Sequence, residues 1–458
     1  MKINCSLLSI ILPSVILSQF NVYGRDLSLQ EAMDLAAQYS FSGKIAKASL
    51  DESMAREDQT LRTMGPRFDF EAQRIWFSKS VNSATGKTIG TTKVPSRVTT
   101  AAFTVAQPII GLGTIFLKLQ ADALATAVVK DEEQMSERDA RFLGAESFLR
   151  AQKADNLTTI AQASLTVVEK QKADAEALMR SGRLSQVDLL RLELAAVDAK
   201  NQLAQAQTTR EIALFALAEV LGLKISDGIS LKSPEVSAWE KSKNKLPQFD
   251  EVSSVGFKNR PELKSIRSKY EIAQFYSRAA ELDYMPSLNA FAKYERDFEA
   301  TDIDLPGINP ASPKTLVHLY DKKEVQDRLS YGLMLKWNIW DWGVRQGRIN
   351  EFSATLVKAD TGRQALESKI RIEIMQSILE LRSTSESLET AKTSIKLAEE
   401  VYRLSVLRFK NGTASASDLV SAERDQTRAR AGLTVGRADL DLAWLKVQKS
   451  LGQQLSIK

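Results

Sequence analysis

Cysteine and histidine are almost missing from this chain, with Cys5 and His318 the single representatives in 458 residues. That removes disulfide scaffolds, thiolate and imidazole nucleophiles, histidine-based acid/base pairs and most transition-metal sites before any motif is sought. The nine methionines are dispersed, so a soft-metal relay finds no ligand cluster either. No glycine-rich phosphate cradle occurs. An enzyme is not expected, and neither a cofactor nor a metal. Blocks of like charge are lacking too: the formal net charge is +5, but the basic residues are interspersed with acidic ones, so nothing favours nucleic acid as a partner.

Long apolar runs are absent except at the start. Behind Lys2, an apolar stretch from Ile3 to Leu17 is interrupted by Pro13, and Val22-Tyr23-Gly24 leads up to Arg25. This reads as a secretory signal peptide over residues 1–24. A membrane anchor is the alternative reading, but the stretch is shorter than the roughly 20 residues a spanning helix needs. Cys5 lies inside it with no lipobox-like Leu-x-x before it, so the mature chain is expected to carry no thiol. No later stretch reaches 18 uninterrupted apolar residues, so an exported chain of this kind would enter a membrane with strands or a surface helix.

Proline is missing between Pro108 and Pro234 and again after Pro313, leaving two stretches in which no helix is forced to stop. Both are rich in strong helix formers. Apolar or small residues recur at alternating three and four spacing, as in Leu388, Ala391, Ile395, Ala398, Tyr402, Ser405, Phe409 and in Leu189, Leu192, Ala196, Ala199, Leu203, Ala206. That is a coiled-coil seam. A single helix over Thr114–Met179 would run about 100 Å. Each stretch holds a matched turn, Arg180-Ser181-Gly182-Arg183-Leu184-Ser185 and Lys410-Asn411-Gly412-Thr413-Ala414-Ser415. Glycine supplies the left-handed position, and Ser185-x-x-Asp188 and Ser415-x-x-Asp418 open the return helices with a capping-box pattern.

The turns belong to an internal duplication. At an offset of 230, Ile109 matches Ile339, Gly182 matches Gly412, Asp188 matches Asp418 and Leu221-Gly222 matches Leu451-Gly452. Nearer the start of each copy the offset is 220, pairing Glu31 with Glu251 and Pro66 with Pro286. The second copy therefore holds ten extra residues between Pro286 and Ile339. Two structural repeats are expected, 25–234 and 235–458, neither able to close a core alone.

Before each long helix the period drops to two. Phe68, Phe70, Ala72 and Trp76 alternate with polar residues, as do Leu288, Ala290, Ala292 and Tyr294; Ala101, Phe103 and Val105, and Tyr331, Leu333, Leu335 and Trp337, supply return strands. A β-hairpin is expected in each copy, about 66–110 and about 286–341, with polar connections about Ser78–Arg97 and Phe298–Arg328. A small sheet packed on helices is one reading. Alternating faces, aromatic strand ends and export without a spanning helix suit outer-membrane strands. Four strands fall short of the roughly eight that close the smallest single-chain barrel, and open edges do not occur in lipid. Strands would then come from identical neighbours.

Several segments resemble the TolC-like outer-membrane efflux family: Leu29-Gln30-Glu31-Ala32 and its copy Phe249-Asp250-Glu251-Val252, Asn259-Arg260-Pro261-Glu262-Leu263, and Met285-Pro286-Ser287-Leu288. Others are Gln107-Pro108-Ile109-Ile110-Gly111-Leu112-Gly113, Asn338-Ile339-Trp340-Asp341-Trp342-Gly343, and the two Gly-x5-Asp-Leu turns. They occur in the family's order over nearly the whole mature chain. The resemblance implies a mainly α fold with a small β part. Long antiparallel coiled-coil helices would form a periplasmic α-barrel, and a homotrimer with four strands per chain would form a 12-stranded transmembrane β-barrel in outer-membrane lipid. It implies a passive duct of a tripartite export system for small toxic compounds, driven by an inner-membrane pump through a periplasmic adaptor. The outer-membrane component of a type I protein secretion system is the alternative. A structural periplasmic coiled-coil spacer is a third reading, and it would leave the alternating strands without a purpose.

The resemblance also assigns candidate residues. Asp418, with its copy Asp188, falls where the family can carry an acidic ring at the periplasmic gate; the simpler reading is that both cap their helices. The adaptor would meet the tips at Arg180, Gly182, Leu184, Lys410, Gly412 and Ala414. In members with a polar latch, an arginine can follow the second tip glycine by two residues; here that residue is Ala414, and Phe409 takes a nearby tyrosine-like position. Trp76, Trp337, Trp340 and Trp342 are membrane-interface candidates; for the last three, core packing where strand meets helix is the alternative. His318 falls in the long connection with no assigned role.

Overall fold

The structure is a computed structural model that describes residues 26–76, 97–224, 230–232, 249–306 and 316–453. The expected signal peptide, Cys5 and the first interstrand connection therefore lie outside the described residues. In chain order the elements are β1 (Asp26–Leu27), α1 (Leu29–Tyr39), α2 (Phe41–Arg62), β2 (Arg67–Trp76), β3 (Arg97–Ile110), α3 (Leu112–Arg180) and α4 (Gln186–Leu221). Then follow β4 (Ser230–Leu231), α5 (Phe249–Asn259), α6 (Pro261–Leu282), β5 (Ser287–Pro306), β6 (Leu316–Lys336), α7 (Val344–Lys410) and α8 (Ala416–Ser450). The chain is mainly α with a small β part, the class expected. Its compact units are not successive halves. One comprises Met1–Ile45, Gln134–Arg260 and Lys369–Lys458, the other Ala46–Glu133 and Pro261–Ser368.

The first unit is a helical bundle. Ser28 caps α1, accepting from the Glu31 N–H at 3.2 Å while its own N–H donates to Glu31 Oε2 at 3.1 Å, which satisfies two donors the helix start leaves open. Ala32, Met33 and Ala36 then face Ala145, Phe148 and Leu149 of α3, Leu217 and Leu221 of α4 and Leu445 of α8. Met33, Phe148, Leu217, Leu221 and Leu445 are fully buried, each contributing about 1.5–3 kcal/mol over exposure. Small residues set the spacing: a Cβ on Gly144 would stand 2.5 Å from the Ala36 Cβ and 2.8 Å from the Ala32 carbonyl oxygen. Pairing of β1 with β4 in parallel adds a two-stranded sheet that the sequence reading does not contain.

The second unit is built on one antiparallel sheet in the order β2-β3-β5-β6, so the two hairpins are joined side by side. Around it, Thr60 on α2 and Tyr276 on α6 both donate to Asp122 of α3, at 2.6 and 3.1 Å, and Lys264 pairs with Asp131 at 3.0 Å. The sheet differs from expectation in length. β5 runs to Pro306 and β6 starts at Leu316, so the connection expected over Phe298–Arg328 shrinks to 307–315. His318 accordingly belongs to a strand, opposite Asp304, and not to a connection. The reason is physical: beyond Phe298 the residues on both faces are largely polar, and the period-two signal needs an apolar face to be visible. Helix α3 also holds an 18-residue window apolar enough by length and composition to cross a membrane, of which 11% is buried.

Candidate functional site: two helical tips and a two-faced sheet

Both helical turns are the same device. Gly182 and Gly412 sit at φ 73° and 72°. The Gly182 N–H donates to the Met179 carbonyl and that of Arg183 to the Leu178 carbonyl, both at 2.9 Å; Gly412 and Thr413 repeat this to Phe409 at 3.0 Å and Arg408 at 2.9 Å. These are Schellman turns, in which a left-handed glycine satisfies the last carbonyls. No atom lies within 4 Å of where a Cβ on either glycine would be. Arg180 and Lys410 are exposed in the last turns of α3 and α7, where positive charge suits the helix dipole.

The structure brings the two tips together. Leu184 and Ala414 pack on one cluster with Ala175, Leu189, Leu192, Phe409, Ala416 and Leu419. Phe409 is buried in that cluster. Above it, Ser164 donates to the buried Glu423 at 2.6 Å, and Arg424 pairs with Asp198 at 2.8 Å. A groove of about 580 Å³ opens beside the cluster, lined among others by Gln171, Asp174, Tyr402, Phe409 and Lys410. Gln171 is 8% exposed; its Nε2 donates to the Tyr402 hydroxyl at 2.9 Å, while its Oε1 is buried with no hydrogen-bond partner. This polar link between α3 and α7 is absent from the sequence reading, where Tyr402 figures as a seam residue. Its signal was a hydroxyl within an otherwise apolar or small seam.

Asp188 and Asp418 lie one turn into the return helices, each engaged in its own cap. Ser185 Oγ donates to Asp188 Oδ2 at 2.6 Å and accepts from the Asp188 N–H at 3.2 Å. At the second tip the Ser415 N–H and hydroxyl donate to Asp418 Oδ2 at 3.0 and 2.9 Å. Those two hydrogen bonds, the backbone one first, hold the Asp418 carboxyl below its ordinary value, with Arg408 and Arg191 adding attraction.

The sheet has two chemically different faces, because side chains alternate along each strand. Phe68, Phe70, Phe103, Tyr294, Leu329, Tyr331, Leu333 and Leu335 share one face by register and are all exposed, Tyr331 by 80%. The other face carries Arg67, Asp69, Glu71, Lys293, Glu295 and Asp297. From Leu288 to Tyr294 this face carries no charge, about 20 Å along the strand at the usual rise; the next row holds Arg296 opposite Asp327. Trp76 stands at the far end of β2, under Arg74 at 5.2 Å. Trp337 follows β6 at the helix side, its Nε1 donating to the Tyr284 carbonyl at 3.1 Å. Trp340 and Trp342 meet edge to face at 5.8 Å, and Trp342 is 88% exposed at φ 56°. All four indoles are exposed, so none packs in the core of its own chain. No group of three or more histidine, cysteine, aspartate or glutamate residues suited to a metal ion occurs among the described residues.

Residues 256–453 match the sequence model of the family described as outer membrane efflux protein. The pyoverdine export outer membrane protein OpmQ of Pseudomonas aeruginosa is 24% identical over 198 residues, 42% of this chain and 40% of that protein's own length. Crystal structures of CusC superpose with a TM-score of 0.75 at 15% identity, covering 94% of this chain and 93% of that one. The CmeC outer membrane channel of Campylobacter jejuni gives 0.73 at 14% identity over 93% and 85%. The open-state MtrE outer membrane channel of Neisseria gonorrhoeae gives 0.69 at 15% over 93% and 89%. The chain is thus similar to outer membrane efflux proteins in sequence over residues 256–453, and shares the fold of these outer-membrane channels across nearly all of its length.

Proposed function

We propose that three copies of this chain form one passive duct for small toxic compounds, loaded by an inner-membrane pump through a periplasmic adaptor. The observation that carries the reading is the sheet. It has an exposed apolar face that is free of charge from Leu288 to Tyr294, a charged reverse face, and β2 and β6 as open edges. A lone chain would leave those edges unpaired in lipid, whereas joining β2 of one copy to β6 of the next makes a closed barrel of twelve strands. The two repeats, 25–234 and 235–458, would then alternate six times around the wall. Trp76 at one border and Trp337, Trp340 and Trp342 at the other fit the two aromatic girdles of such a barrel.

The tips supply the docking end. Arg180, Gly182, Leu184, Lys410, Gly412 and Ala414 would meet the adaptor there, beside the groove lined by Gln171, Tyr402 and Lys410. Three copies of Asp418 around one axis would repel one another and attract cations, with Asp188 in the matching position. The relative named for pyoverdine export favours a small-molecule cargo over a polypeptide. The test is complementation of a strain lacking the gene: restored expulsion of a small amphipathic dye, together with stepwise conductance of purified protein in a planar bilayer, is expected. Protein that is monomeric in detergent, or that conducts nothing, overturns the reading.

A further inference from the structure

Large apolar side chains left exposed in the helical unit are not spread evenly over its four long helices. Among the described residues α8 exposes none, and α3 exposes Leu143 alone within this unit. Helices α4 and α7 carry the others, and each is apolar on two opposite sides. On α4, Leu192 and Ala195 are buried, while Leu194 and Val197, two positions further on and so about half a turn round, are 61% and 65% exposed. On α7, Leu381 and Phe409 are buried, while Leu379 and Leu407, each two positions earlier, are exposed. The chain's own bundle covers one stripe of each helix. A helix apolar on opposite sides fits between two neighbours, so a second neighbour is called for at both α4 and α7.

The uncovered stripes match in level. Both tips lie at one height, since Leu184 and Ala414, each two positions past its glycine, pack in one cluster. Leu190, Leu194 and Val197 stand eight, twelve and fifteen positions after Gly182; Leu404, Val401 and Leu397 stand eight, eleven and fifteen before Gly412. Further up, polar residues replace them on both helices, with Asn201 and Thr393 each nineteen positions from the glycine, before apolar residues return at Phe215 and Leu379, each thirty-three away. Helix α4 leaves the tip and α7 approaches it, so equal counts mean equal height at about 1.5 Å per residue. Charge agrees with this pairing: Glu211 and Arg382, twenty-nine and thirty positions away, fall on the same flank of the two stripes with opposite sign. Glu193 and Glu400, eleven and twelve away, share that flank, but each is engaged within its own chain, by Lys172 at 3.7 Å and by Arg403 at 2.6 Å. We propose that the outward stripe of α4 packs antiparallel on that of α7 in the next copy, closing each joint between copies with a helical seam that starts at the tips. Two different surfaces meet, so the joint is head to tail, and its repetition makes a ring instead of a two-fold pair. The inference rests on the reading of three copies around one duct and names the helices that join them.

The experiment uses the purified full-length protein in detergent, in a Cys5→Ser background, with the mass of the assembly measured alongside. Under oxidation, Leu194→Cys combined with Val401→Cys is expected to link copies into covalent dimers and trimers, and neither substitution alone should do so. Leu190→Cys with Leu397→Cys is seven positions, or about 10 Å, out of step. That exceeds the reach of a disulfide, and no linked copies are expected. Trimers in which the 194 and 401 pair stays unlinked overturn the proposal, as does equal linking by the out-of-step pair. Linking by Leu194→Cys alone overturns it too, because α4 would then meet α4. Full reaction of Leu194→Cys with a bulky maleimide in intact trimers does the same and leaves the stripe to another protein, such as an adaptor. A monomeric mass brings down the three-copy reading with the seam, so the two failures are told apart.

Discussion

Asp418 holds its charge through geometry that it and Ser415 supply. Ser415 donates twice to one carboxylate oxygen, and the serine in turn accepts from the Asp418 N–H at 3.2 Å. Because the folded carboxyl lies below its ordinary value of 3.8, its contribution to the tip is complete above that value and is lost only as pH falls through the lowered one. Amide protection at Leu419 and Val420 is therefore expected to stay level from pH 8 to about 5 and to fall only in stronger acid; a loss between pH 5 and 7 would assign the cap to some other group. An asparagine at this third helical position keeps a side-chain oxygen able to accept from the Ser415 N–H and hydroxyl. Asp418→Asn should thus preserve the fold while changing cation selectivity or conductance in a bilayer, and unaltered single-channel behaviour would remove Asp418 from the gate. The sequence showed this capping pattern outright, because an N-cap is a local event. It could not show Gln171 meeting Tyr402, whose partners lie 231 positions apart.

At the scale of elements, glycine decides two things. Gly412 occupies a left-handed conformation, which costs a residue with a Cβ about 1–2 kcal/mol. Gly412→Val should loosen the second tip, seen as faster hydrogen exchange at Thr413 and the start of α8, with the remainder of the bundle unmoved. Gly144 acts by proximity instead, and Gly144→Leu would drive α1 off α3. A loss of several kcal/mol, on the scale of overpacked cores, is expected in denaturant unfolding, and a variant of unchanged stability would mean the two helices are not in contact. The helices, their turns and the inner parts of the strands were legible from period and proline spacing. The outer ends of β5 and β6 were not, since residues such as Asp302, Asp304 and His318 give no apolar face to count. Nor was β1–β4, whose pairing brings together segments about two hundred residues apart through two residue pairs.

For the whole molecule, the decisive question is how the sheet edges are covered. Cysteines introduced on β2 and β6, into a chain whose one native cysteine lies before Asp26, should join copies into covalent dimers and trimers under oxidation. A pair moved to the central strands β3 and β5 should bridge within one chain, because those strands already pair. Monomers from the edge pair would refute the shared barrel. The arrangement of the bundle also sets an order of events. The face of α1 that holds Met33 is closed by Leu445, so a polypeptide delivered head first cannot seal that cluster until its last helix has arrived. The leading segment must stay tractable, or be sheltered by chaperones, throughout delivery. Any product truncated ahead of α8 would keep an uncovered greasy surface, which marks it for the proteases that police envelope assembly.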